Sequence, residues 1–146
     1  MNKITIELDT ILDKGLLEYL KTIEGIENCD INEGKLDIVY QDKLPLIIII
    51  KEACLYLDIL KIPSILSFDK HLTNKLEEYQ IVINDLCCEY CLKMDIGELL
   101  YVNGINSAYS DYDFDDKDNV TIYITYDKNV ISEDELDNFN KKFNGD

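Results

Sequence analysis

Arginine and tryptophan are absent from these 146 residues, and histidine occurs once, at His71. All 14 basic side chains are lysines, set against 30 aspartates and glutamates, for a formal charge of −16. Without the planar arginine fork, and with so large an excess of carboxylates, the chain has no footprint for phosphate backbones or anionic membrane surfaces. No nucleic-acid partner is expected. Long apolar runs are missing too. The longest, Leu46 to Ile50, gives way at once to Lys51 and Glu52, far short of the roughly 20 residues of a membrane span. Direct membrane insertion is therefore not expected. Glu7, Asp9 and Asp13 interrupt the first apolar residues, so no secretory signal is read and a reducing cytoplasm is the expected setting. His71 reads as a surface residue of the connector, with no His-carboxylate-nucleophile grouping to recommend a hydrolase, and no enzyme activity is expected.

A hydrophobic fraction of 47% nevertheless argues for a folded chain. Ile4, Ile6 and Leu8 alternate as in a strand with one buried face. From Thr10, read as an N-cap, to Ile23, the positions Leu12, Leu16, Leu17, Leu20 and Ile23 mark one side of a helix closed by Gly25. Ile26 to Asn32, the turn Glu33-Gly34, and Lys35 to Tyr40 read as a hairpin. Pro45 to Leu60 is too long for a strand and is read as a helix, and Ser64 to Phe68 as a short strand. The order β-α-β-β-α-β predicts a ferredoxin-like unit over 1–69. After a connector at 70–77 the rhythm returns over 78–146. Tyr79, Ile81 and Ile83 suggest a strand, Glu89 to Tyr101 a helix ended by Gly104, and Ile105 to Phe114 contains a strand. Asp116 to Asn119 reads as a turn and Val120 to Tyr126 as a strand. Ser132 with Glu135 forms a capping box for a last helix burying Leu136, Phe139 and Phe143. The expected fold is α+β, two tandem ferredoxin-like (βαββαβ) units, the second lacking its last edge strand. Gly25-Ile26 matches Gly104-Ile105, and Asp42-Lys43 lines up with Asp127-Lys128.

Five cysteines, an odd number with three crowded together, fit poorly with a disulfide framework. Cys29 and Cys54 read as core residues. Cys88 and Cys91 stand three apart between a strand end and a helix start, where both sulfurs can face one point while Leu86 tucks beneath the loop. A helix N-terminus favours the thiolate. Two thiolates suit Cu(I), Zn²⁺ or Cd²⁺ and bind calcium or magnesium poorly. Cys87 is a candidate third sulfur, and Asp85 or Glu89 a candidate oxygen. Inert core thiols and thiol–disulfide chemistry are the competing readings of the same residues.

Residues 78–143 resemble the heavy-metal-associated domain of small copper chaperones and of the cytosolic tails of metal-pumping P-type ATPases. The family pattern is Gly-Met-x-Cys-x-x-Cys followed by a Gly-Val thirteen residues on. Asp85, Leu86, Cys87, Cys88 and Cys91 occupy its places, and Gly104-Ile105 follows at that spacing. The resemblance implies soft-metal binding through Cys88 and Cys91, and ligand exchange with a metal-donor or metal-acceptor protein, or an ion bridged in a homodimer. It departs from the family at Asp85 for glycine, Leu86 for methionine, and Asp95 at an apolar helix position. Cys87-Cys88 resembles the double cysteine of some plant zinc-pump tails, which keeps Zn²⁺ open beside Cu(I). The first unit is then a degenerate copy, with Asp9 and Leu12 where Cys88 and Cys91 stand.

The run Asp111, Asp113, Asp115, Asp116 and Asp118 lacks the glycine and glutamate of a calcium loop, holding Asp116 and Ile122 there, and reads as a solvated hairpin. Tyr101, Tyr109 and Tyr112, near Gly104, are candidates for a protein contact. Charge is uneven. Residues 1–73 carry 13 acidic and 8 basic groups and residues 74–146 carry 17 and 6, giving −5 and −11. The alternative to metal binding is an acidic interaction module for a basic partner.

Overall fold

The computed structural model describes residues 2–56, 65–86, 88–112 and 119–145, with Cys54 as backbone only. The elements are β1 (Asn2–Leu8), α1 (Lys14–Lys21), β2 (Ile26–Asn32), β3 (Lys35–Tyr40), α2 (Leu46–Tyr56), β4 (Ile65–Asp69), β5 (Glu77–Asn84), α3 (Glu89–Leu100), β6 (Ile105–Ser110), β7 (Asn119–Tyr126) and α4 (Glu133–Phe143). The seven strands form one antiparallel sheet in the order β2-β3-β1-β4-β6-β7-β5. Its first four strands make one ferredoxin-like unit. The last three repeat the arrangement, and among the described residues no strand lies beyond β5. The α+β reading with two tandem units, the second short of an edge strand, agrees with this architecture.

Alternation places Ile4, Ile6 and Leu8 of β1 and Val120, Ile122 and Ile124 of β7 on one buried face. They join Leu16, Leu20, Ile49, Ala53, Leu92, Ile96, Leu99 and Leu136 from the helices in a single apolar core. Lys3, Thr5, Glu78, Gln80 and Thr125 take the alternate positions and stay exposed or half-buried, as a half-covered sheet requires. Cys29 is a core residue as expected, and burial pushes its thiol pKa up.

The halves share the sheet through β4 and β6, with Ser67 opposite Tyr109, Phe68 opposite Ala108 and Asp69 opposite Ser107. The segment between them is anchored as well. Lys70 N donates to Asn106 O at 2.8 Å, Leu72 N to Asn106 Oδ1 at 2.8 Å, and Asn74 Nδ2 to Asp127 Oδ2 at 2.9 Å. Burial lowers the Lys70 ammonium pKa to about 8.

The weak sequence repeat is a close structural one. Gly25 and Gly104 both take positive φ, 103° and 95°, which glycine adopts without steric cost. Each accepts at 2.8 Å from the residue after its returning strand, Gln41 N and Asp127 N. The counterpart of Asp127 is thus Gln41, one residue earlier than the alignment on Asp42. Both hairpins carry a bulge just after their first residue pair, Ile26 with Tyr40 and Ile105 with Tyr126.

The first helix starts at Lys14 and not near Thr10, because Asp13 is its N-cap and accepts from Leu16 N at 2.9 Å. Leu12 has helical spacing but lies before the cap. The second helix is seen to Tyr56, and its expected end at Leu60, the start of the following strand at Ser64, and the acidic turn at Asp116–Asp118 fall outside the described residues. Ser132 caps α4 as expected, accepting from Glu135 N at 3.2 Å. Leu136 is fully buried, and Phe139 and Phe143 pack half-buried on the core.

Candidate metal centre

Strand β5 delivers the chain to a short loop before α3. Its first residue, Asp85, has φ +58°, a left-handed conformation that short polar side chains tolerate better than most. Leu86 turns back and packs half-buried against the core beneath the loop. Cys87 lies outside the described residues, so its expected role as third sulfur rests on sequence alone.

Cys88 is the N-cap of α3, with extended backbone at φ −167° and ψ 165°. Cys91 is then the third residue of the helix. Side chains at the N-cap and third positions converge, which is why an N-cap oxygen can reach the third N–H. Here the cap makes no side-chain hydrogen bond to the helix backbone. Instead the two sulfurs lie 3.5 Å apart, with Cys88 exposed and Cys91 half-buried. The structure therefore brings Cys88 and Cys91 together at the surface, as their spacing suggested.

The same positions of the first unit hold different residues from those expected. β1 and β3 pair Asn2 with Tyr40, while β5 and β7 pair Glu77 with Tyr126. Carrying that register forward from Leu8 and Ile83 sets the N-cap Asp13 opposite Cys88, and Leu16 opposite Cys91. Asp9 and Leu12 are not the counterparts. The cause is length: α1 has 8 residues and α3 has 12, one extra turn, so aligning the helix ends displaces the helix starts by four. Matching the strand ends Leu8 and Ile83 in the sequence would have located the pair.

Asp9 has another place. Its carboxylate forms an ion pair with Lys93 of α3, which also pairs with Glu89 at 3.4 Å. Burial opposes the Lys93 charge, and the carboxylates of Asp9 and Glu89 outweigh it, raising its pKa. The pair spans the seam between the halves, beside a cleft of about 280 Å³ whose lining includes Glu7, Leu92, Ser110 and Tyr112. Further along α3, burial and nearby Glu98 raise the Asp95 carboxyl pKa to about 7, with Lys142 opposing them.

Among the described residues, no group of three or more histidine, cysteine, aspartate or glutamate side chains is arranged to hold a metal ion. Two sulfurs are thus the described donor set. His71 lies apart on the surface with its Nε2 2.6 Å from Thr5 Oγ1. Among the described residues no helix is long and apolar enough to cross a membrane.

No family model and no curated protein matches the chain. Among solved structures, the N-terminal soluble domains of Bacillus subtilis CopA, determined in solution, are similar at 13% identity and a TM-score of 0.36. That likeness covers 96% of this chain and 87% of the other. At so low an identity and TM-score it carries no weight for fold or function.

Proposed function

We propose that the chain binds a soft metal ion through Cys88 and Cys91 and passes it on by thiolate exchange, without catalysing a reaction. The observation that carries this reading is the convergence of two thiols, 3.5 Å apart, on an exposed helix start. The chemistry of the pair supports it, since thiolates prefer Cu(I) and Zn²⁺ over hard cations. Two sulfurs of a tetrahedral zinc site, each about 2.3 Å from the ion, stand about 3.8 Å apart. A linear arrangement at a similar bond length needs roughly 4.6 Å. Both geometries require the thiols to part from their 3.5 Å hydrogen-bond contact, by less for Zn²⁺, whose shell solvent, Cys87 or a donor from another protein would complete. Cu(I) held by these two sulfurs alone would need them to spread. An incompletely filled coordination shell suits hand-over to an acceptor protein, or an ion shared between two copies, better than a closed structural site.

The test is anaerobic titration of the reduced protein with Zn²⁺ and with Cu(I). Uptake of about one ion per chain is expected. The Cys88→Ser/Cys91→Ser variant should lose it, while Cys87→Ser should weaken it only if that thiol is the third donor. Equal uptake by the double variant would overturn the assignment.

A further inference from the structure

The repeat exposes an asymmetry at the outer side of β5. In the first unit, β4 lies antiparallel on β1 over Thr5–Leu8. The register that relates the units carries this stretch to Gln80–Ile83 of β5. There, among the described residues, no strand is paired. One side chain stands in for it: Asn144 accepts from Asn84 N at 2.9 Å and donates to Val82 O at 2.9 Å. These bonds identify the outward-facing backbone groups of the strand. By alternation, Glu78 and Gln80 also point their N–H and C=O groups outward, and no described residue bonds to them there. An edge left in this state is a template for strand addition.

Charge selects the occupant. Glu77 and Glu78 lie on the strand, and Glu133 and Asp137 of α4 lie near it, Asp137 accepting from the Tyr79 hydroxyl. Lys128 pairs with Glu77 at 3.7 Å, leaving Glu78 exposed on the uncovered sheet face, with Gln80 and then the exposed Val82 further along it. A second copy of β5 would bring these like charges together, which opposes self-pairing. We infer that the outer edge of β5 receives a lysine- or arginine-rich extended segment of a partner protein as an added antiparallel strand. Backbone bonds at Glu78 and Gln80 would supply the attachment, and the surrounding carboxylates its preference for basic sequence. This surface does not depend on the cysteine pair.

The probe is a nine-residue peptide of alternating lysine and valine, added to the isotope-labelled full chain. At saturation, amide exchange at Glu78 and Gln80 should slow by about tenfold or more. A version of equal charge with every backbone amide N-methylated, so that neither of its edges can donate, should fail to protect them. Glu78→Lys should weaken peptide binding about tenfold, as expected when a favourable charge contact becomes repulsive. The Cys88→Ser/Cys91→Ser variant should bind the peptide normally, separating this inference from metal binding. Absence of protection, equal binding by the N-methylated peptide, or unaltered binding by Glu78→Lys would each overturn it. Protection that grows with protein concentration alone would assign the edge to a second copy and overturn it too.

Discussion

The starts of α1 and α3 are the same local structure put to different uses. In α1 the cap oxygen of Asp13 holds the N–H of Leu16, and the Leu16 side chain is fully buried. In α3 the equivalent pair is Cys88 and Cys91, the cap bond is missing, and the sulfurs meet at the surface. An ordinary helix start thus already contains the geometry a two-sulfur site needs. Where α1 has a capping oxygen and an inward leucine, α3 has two thiols.

Truncation at the third helical position should separate the halves most strongly. Leu16→Ala removes a fully buried side chain and should cost about 2–5 kcal/mol. Cys91→Ala removes a half-buried one and should cost about 1 kcal/mol or less. Chemical denaturation of each variant measures the difference, and equal losses would break the comparison.

Restoring the cap should sharpen it. Cys88→Asp supplies the oxygen that Asp13 provides in α1, and should add about 1 kcal/mol of stability while abolishing metal uptake. Thermal unfolding and metal titration of the same variant read both effects. Asp13→Ala should cost a comparable amount in the first half.

The smallest effect concerns Asp95 of α3, whose counterpart in α1 by the shared register is the fully buried Leu20. The folded state holds a proton on Asp95 up to about pH 7, whereas an unfolded aspartate releases it near pH 4. The folded state therefore binds more protons across that window, and stability falls as pH rises through it. Asp95→Asn should be neutral near pH 4 and stabilising by about 1 kcal/mol at pH 8, after allowing for solvent screening of this partly exposed group. Denaturation midpoints at the two pH values test the sign.

Much of this arrangement was legible where side chains speak locally. Glu33-Gly34 between alternating strands, Ser132 with Glu135, and the two helix-ending glycines each declare a backbone geometry. The approach of Cys88 and Cys91 followed from three-residue spacing at a helix start. What stayed hidden depends on partners distant in sequence. Ser67, Asp69, Ser107 and Tyr109 give no sign in isolation that β4 and β6 join edge to edge. The helix start at Lys14 was obscured because Leu12 keeps helical spacing without being helical. The one-turn difference between α1 and α3 misled the alignment because a whole turn leaves the apolar stripe in phase.

The seam between β4 and β6 also changes how a visiting protein would meet the thiols. The two halves are not beads on a swivel. A continuous ladder, anchored connector residues and the Lys93–Asp9 clasp hold the loop at a set angle to a broad plate. Docking would then be governed by the contour of both halves, and the half without the surface cysteine pair would serve as part of the landing ground.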